Sequence, residues 1–528
     1  MKKDIATIAL IMLLAGIMSI SLYSTGQFWW DDFASYILQA RAILDGRMVE
    51  FVAENGRAIA QSTYPVGPAA YPWGFPLMLA PIYALAGLSI TAFKLVNTVA
   101  FVAFLAVFYA YARQRFNLLL SAALVSVLAF NPSLLKAQDL IQADFAFLLA
   151  TTASLFLLDL QWRTGRSPAW QKILLGVLIF WSFFLRTNGI LLLGPLVLVD
   201  FFQWRTNPQP GFRLISLPYL TFLALFGLSL ILFPGGQSSY FEHYELFFSP
   251  ARLFENFLFY LTLPGWLFNG LPLSTLFFAL TGLACLWGIS QKARAEMPTL
   301  AFSLLTMAIF ITWPERQGLR FIYPILPFYM VFAAHGLTDI VNRIRLKYRP
   351  STAPPHLPRT QCGRTGSSGF DTATPVKPAA QGLPTTGNWL LDTEHWILPS
   401  ALLGTLALLS LVVSFQRADW KLFSREEING PFDPVSAEMF AYVREQTAAN
   451  STIIFFKPRL MKLMTGRYSF LIEDCARINE GDIIVIHEKQ ERNGQIDPGE
   501  IKTCNPNVEL QVAFKNQRFT IYQINNKP

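Results

Sequence analysis

The sequence predicts an α-helical polytopic membrane protein: about eleven transmembrane helices and a small C-terminal α/β domain, by length and hydropathy. Three observations support this. Of 528 residues, 53% are hydrophobic and only 14% charged, with a mean hydropathy of +0.38. An average soluble chain carries about 25% charged residues, so this one cannot clothe itself in a polar surface. Several uncharged runs reach about 20 residues, enough to cross a hydrocarbon core. Lys and Arg gather in alternate short loops, as the positive-inside rule requires. The net charge of +8 is therefore an orientation signal, and no nucleic-acid partner is implied.

Lys2 and Lys3 precede an apolar run over 5–22 that is long for a signal-peptide core and has only a weak cleavage site, so it is expected to be retained as the first span, starting in the cytoplasm. An acidic outer segment follows over 24–71, and 72–88 is apolar but short and Pro-rich, fit either to span or to lie in the interface. Spans are then expected over 92–111, 118–130 and 145–160, with two more flanking Arg186. The seventh covers 214–233, before an outer loop over 234–270. The eighth ends at Lys292, and the ninth and tenth cover 298–313 and 321–340. Inner loops carry Arg113 and Arg115, Arg163 and Arg166, Arg205 and Arg213, Lys292 and Arg294, and Arg343 to Arg349.

Residues 350–395 are expected to form a cytoplasmic linker. Its Pro-, Thr-, Ser- and Gly-rich part, 350–384, has too few large apolar groups to offset the entropy of ordering. A last span over 396–415 delivers the chain to the outer side, where 416–528 reads as a compact α/β domain. Asp433-Pro434 is a helix N-cap and first turn, with Met439, Phe440 and Val443 on one face. Segments 452–456 and 482–486 read as buried strands, and 508–525 as a hairpin around Asn516-Gln517. Cys475 and Cys504 both fall in this domain, where an oxidising compartment favours a disulfide over two buried thiols.

Charged groups at the outer boundary of the spans are few, and a charge there is expensive unless it has a partner or a task. Asp31 and Asp32, beside Trp29-Trp30, are candidates for a general base; the competing reading is that one of them caps the helix beginning near Phe33. Tyr36 and Tyr71, the latter in Tyr71-Pro72-Trp73-Gly74-Phe75-Pro76, suit a sugar face or a membrane interface. Asp144 lies just outside the fourth span. Arg186-Thr187-Asn188-Gly189 interrupts an apolar run, and Arg320 opens Arg320-Phe321-Ile322-Tyr323-Pro324. Each Arg could snorkel, but two at one level facing paired aspartates favour an anion site, a lipid phosphate being the natural ligand.

The order of these motifs resembles that of the GT-C glycosyltransferases, membrane enzymes that use polyprenyl-phosphate sugars and include protein O-mannosyltransferases and lipid A aminoarabinose transferases. The resemblance covers 31–46, 71–87, Asp144, 186–189 and 320–327, and extends to Lys457-Pro458-Arg459 with Thr465-Gly466-Arg467. It implies sugar transfer from a polyprenyl-phosphate donor to a lipid, glycan or protein acceptor, in the bacterial inner membrane with the C-terminal domain extracytoplasmic. The family's acidic residue falls on Asp32, with Asp31 beside it; where members often have Asp-Glu, this chain has Asp32-Phe33. Tyr71 stands where some members carry a phosphate-binding Lys, which shifts the donor phosphate to Arg186 and Arg320, with Tyr36, Tyr71 and Asp144 as substrate contacts. Glu242-His243 matches a metal-binding loop only loosely, so a divalent metal stays open; without a GxGxxG or P-loop no nucleotide cofactor is implied. The alternatives are a transporter or flippase, or an O-antigen polymerase or ligase.

Overall fold

The computed structural model describes residues 2–63, 67–165, 167–206, 212–235, 249–313, 315–316, 318–348, 389–417, 428–488, 494–497, 499, 505 and 508–526. Among the described residues seven helices are long and apolar enough to cross a bilayer: Lys2–Ser21, Ile90–Arg113, Asp144–Thr164, Thr187–Arg205, Ile215–Leu232, Ser274–Lys292 and Trp396–Arg417. Shorter apolar helices cover Gly74–Ala86, Leu118–Ala129, Ala169–Leu185 and Met297–Thr312. Their outward faces carry bare aliphatic groups, such as Leu85 at 88% and Ile231 at 82% exposure. Only hydrocarbon suits such faces, and the chain is an integral membrane protein. The first ten spans read from the sequence all fall on these helices or on Leu326–Tyr348.

Two boundaries move. Residues 318–322 form a 3-10 turn, residues 323–325 continue as a hydrogen-bonded turn, and the next helix begins only at Leu326, because Pro324 and Pro327 lack the amide hydrogens a continuous α-helix would need. The last helix starts at Trp389, seven residues before the expected 396 and inside the expected linker. Hydropathy marks where a helix becomes apolar, not where it starts. Residues 349–388, the rest of that linker, lie outside the described residues.

Two amphipathic helices, Asp32–Leu44 and Met48–Gln61, fill the first outer segment. Gly74–Ala86 follows; its 13 residues span about 20 Å at 1.5 Å per residue, short of a bilayer core. At the C-terminus, Asp433 caps helix Pro434–Gln446 by accepting the Ser436 amide at 2.9 Å, and the helix buries Met439, Phe440 and Val443 as its pattern predicts. Five strands, β1 (Thr452–Ile454), β2 (Tyr468–Phe470), β3 (Ile483–His487), β4 (Val508–Lys515) and β5 (Phe519–Asn526), pair in the order β2-β1-β3-β5-β4. β1 runs parallel to β2 and β3, and β4–β5 is the expected hairpin. Helix Pro458–Thr465 supplies the crossover from β1 to β2. Cys475 is disulfide-bonded, while its expected partner Cys504 lies outside the described residues.

The first outer segment and this domain are locked together. Trp29 inserts its ring among Phe440, Phe455, Phe456, His487 and Phe519, with centroids 5.3–6.4 Å away. It therefore serves the interface with that domain. The Thr63 amide donates to Leu471 O at 2.9 Å, and Lys462 pairs with Glu54 at 3.0 Å.

Candidate active site at one end of the bundle

Each charged residue here stands at the end of a helix. Asp32 and Asp144 occupy first turns, where the positive end of the helix dipole favours a carboxylate. Arg186 ends helix Ala169–Leu185 in an extended conformation, at the end where a cation is favoured. The chain then doubles back in the 3-10 turn Thr187–Leu192. Gly189 lies against the backbone of Ser182 and Phe183 so tightly that a Cβ would collide with both. That turn aims Arg186 at the site. Arg320 arrives from the 3-10 turn Gly318–Ile322.

The four groups meet. Arg186 pairs with Asp144 through Nη1 and Oδ1. Arg320 bridges the two carboxylates, with Nη2 at 3.3 Å from Asp144 Oδ2 and Nη1 at 3.6 Å from Asp32 Oδ2. The Arg186 guanidinium lies over Phe147 and Phe321, 5.9 and 5.7 Å from their centroids. Asp144 is sealed at 1% side-chain exposure, whereas Asp32 is 34% exposed. Asp144 is thus the buried counter-ion of two arginines, set behind them instead of facing a substrate as expected. Asp32 is the carboxylate an incoming molecule can reach. Among the described residues the buried Arg320 Nε has no hydrogen-bond partner, and such an orphan donor calls for an acceptor.

Tyr71 donates its hydroxyl to Asp32 Oδ1 at 2.6 Å. Burial, and then the Asp32 carboxylate, push the Tyr71 phenol well above its ordinary pKa, so it stays a donor. The Tyr36 ring backs it at 4.8 Å and is itself wedged against Phe75 at 5.1 Å. Gln39 clamps the Tyr71 backbone, donating to its carbonyl at 2.9 Å and accepting from its amide at 3.1 Å. Asp32, Tyr36 and Gln39 are spaced i, i+4, i+7, one face of a helix. That spacing was legible, and a buried Gln on an active face is the signal that could have singled out Gln39.

Asp31 goes elsewhere. Its carboxylate turns to the C-terminal domain, where Oδ1 accepts the Leu460 amide at 3.4 Å and Oδ2 lies 3.7 Å from Arg459 Nε. Burial raises its pKa, against the pull of Arg459 and Lys457. Asp31 does cap a helix, but Pro458–Thr465, more than 400 residues away, and it makes no side-chain cap on its own helix.

Among the described residues no group of three His, Cys, Asp or Glu side chains could hold a metal, and Glu242 and His243 lie outside them. The Asp32 and Asp144 carboxylates are both engaged by arginines.

The class these features define is a multispanning membrane protein of the GT-C fold. ArnT from Cupriavidus metallidurans in the apo state superposes with a TM-score of 0.55 at 11% identity, covering 98% of this chain and 97% of that one. The same protein bound to undecaprenyl phosphate gives 0.51 at 11% identity over the same shares. The apo oligosaccharyltransferase of Archaeoglobus fulgidus gives 0.56 at 10% identity, over 98% of this chain and 74% of that one. No family model and no curated protein sequence matches the chain.

Proposed function

We propose that this chain is a glycosyltransferase moving a sugar from a polyprenyl-phosphate donor to a lipid, glycan or protein acceptor on the outer side of a bacterial inner membrane. The observation that carries it is the reachable Asp32 carboxylate set beside Arg320, which together with Arg186 also holds the buried Asp144. The shared fold supports it, since ArnT has been seen with undecaprenyl phosphate. In this reading the chain crosses the membrane eleven times, with 350–388 cytoplasmic and the C-terminal domain outside.

The reaction is a single inverting displacement. The acceptor hydroxyl or amine gives its proton to Asp32 Oδ2, while its lone pair attacks the sugar C1. The bond from C1 to the phosphate oxygen breaks on the opposite face, and the phosphate leaves with the electron pair. Arg320, through Nε, and Arg186 balance the charge gathering on it, drawing on guanidinium groups already held in place by Asp144. Tyr71 fixes the other oxygen of Asp32, so Oδ2 is the oxygen presented to the acceptor.

The test uses the purified full chain in nanodiscs with undecaprenyl phosphate as probe, beside mass-spectrometric profiling of envelope lipids and glycans in a deletion strain. Saturable binding that Arg186→Ala and Arg320→Ala each weaken about tenfold or more, together with one missing glycoconjugate, is the expected result. Unchanged envelope glycans, or binding indifferent to both substitutions, would overturn the reading.

A further inference from the structure

Arg459 lies on the outer-domain helix Pro458–Thr465 and is 2% exposed. A buried guanidinium is costly unless its donors and charge are compensated; here Nη2 and Nε are used, while Nη1 has no hydrogen-bond partner among the described residues. Nη2 donates to Pro68 O at 2.6 Å and Nε to Asn55 Oδ1 at 3.2 Å, while the group faces Asp31 and lies over the Tyr71 ring, 5.5 Å from its centroid. Asn55 in turn donates to Ala69 O at 2.6 Å. Gly67, at φ +113°, passes so close that a Cβ would sit 3.0 Å from both Arg459 Nη1 and the Tyr71 hydroxyl. The strand of chain that carries Tyr71 is thus pressed between Arg459 and helix Asp32–Leu44.

We propose that Arg459, reaching in from the C-terminal domain, is a positioning residue for the transfer reaction: it holds Tyr71 and Asp31 so that Tyr71 orients the Asp32 carboxylate. The proposal rests on the function proposed above. It makes the C-terminal domain part of the catalytic apparatus, because Arg459 reaches the site from that domain. The chain of contacts is short. Arg459 packs on Tyr71, Tyr71 donates to Asp32 Oδ1, and Asp32 Oδ2 faces Arg320. Arg459 also sets the charge balance. Asp31 is faced by Arg459, Lys457 and its neighbour Asp32, and Asp32 by Tyr71, Arg320, Asp31 and Arg459. Without Arg459, buried Asp31 loses its nearest cation and the contact that holds Tyr71 over Asp32 is removed.

The experiment compares Arg459→Gln, Tyr71→Phe, the double variant and Lys462→Met in the full-length protein. Product formation is followed in membranes of the complemented deletion strain, which hold their own donor and acceptor. Binding of undecaprenyl phosphate is measured on the purified proteins. Arg459→Gln is expected to lower turnover about tenfold to a hundredfold, as a misplaced reacting group does, while probe affinity stays within about twofold of wild type by the same logic. The double variant should be no worse than the poorer single, because both act through one contact. Lys462→Met breaks the neighbouring pair across the same interface and should leave turnover intact. Wild-type turnover in Arg459→Gln or in Tyr71→Phe would overturn the proposal, as would additive effects or an equal loss in Lys462→Met. Should Arg459→Gln not fold, Tyr71→Phe decides alone. Probe binding indifferent to Arg186→Ala and Arg320→Ala would instead sink the underlying function, a separate outcome.

Discussion

Helix Asp144–Thr164 carries an acid–arginine network at each end, and the two are built differently. Asp144 and Asp159 lie 15 residues apart, about 22 Å along the axis. Around Asp159 the network is closed. Arg115 Nη2 lies 2.6 Å from both Asp159 and Glu296, and Arg163 donates to the same two carboxylates at 2.9 and 2.6 Å. Tyr111 covers Arg115 at 3.5 Å, and His335 Nε2 reaches Glu296 at 3.3 Å. Burial would raise the pKa of Glu296, but His335, Arg115 and Arg163 outweigh it and hold the carboxyl far below its usual range. Around Asp144 the network is open on one side: beside the close Arg186–Asp144 pair stand longer contacts of 3.3 and 3.6 Å, a carboxylate one-third exposed and a buried Nε without a partner among the described residues. Saturated ion pairs staple helices together, while unsaturated ones keep capacity for a ligand.

The largest expected effect breaks the comparison at its open end. Asp32→Asn keeps shape and removes the proton acceptor, so product formation should fall about 10²–10⁴-fold with undecaprenyl phosphate affinity retained. Asp31→Asn, which still caps helix Pro458–Thr465, should have a far smaller effect. The reverse ranking in a membrane assay would exchange the two roles. At the closed end, Glu296→Gln leaves two arginines sharing one carboxylate and should cost about 3–5 kcal/mol of stability, read as a drop in Tm. Donor affinity of the folded protein should not change.

Sequence made one network more legible than the other. Asp32, Asp144, Arg186 and Arg320 stood out because each interrupts or borders an apolar run. Arg115 and Arg163 were absorbed as orientation signals, and their partners Asp159 and Glu296 passed unnoticed, since nothing local links residues 159 and 296. The same limit hid the work of Asp31 and Trp29. Both act on a domain some 400 residues further on, and a local reading could offer them only a local helix or the membrane surface. The fold was readable because hydropathy and basic loops are local properties; the contacts between distant segments were not.

A smaller effect separates the C-terminal domain from both networks. Burial would raise the pKa of Asp433, but Arg518 at 2.7 Å and the amides of Ser436 and Gly430 hold it below the usual carboxylate value. The folded form therefore favours the ionised group. That stabilisation is present above the ordinary carboxylate pKa and is lost as pH falls through the depressed one. Asp433→Ala should weaken protection of helix Pro434–Gln446 against hydrogen exchange by about 1–2 kcal/mol at neutral pH, and by less in acid. A difference that grows on acidification would contradict this.

The contrast between open and closed networks is tested most directly by the equilibrium affinity of the full-length protein for undecaprenyl phosphate in nanodiscs, measured on Arg320→Ala and Glu296→Gln side by side. Loss of one charge-assisted partner at the open end should weaken binding about tenfold or more. Glu296→Gln should bind within about twofold of wild type, because its arginines hold helices and no ligand. Equal affinities in wild type and Arg320→Ala, or an equal loss in Glu296→Gln, would contradict the assignment of the outer network as the donor site.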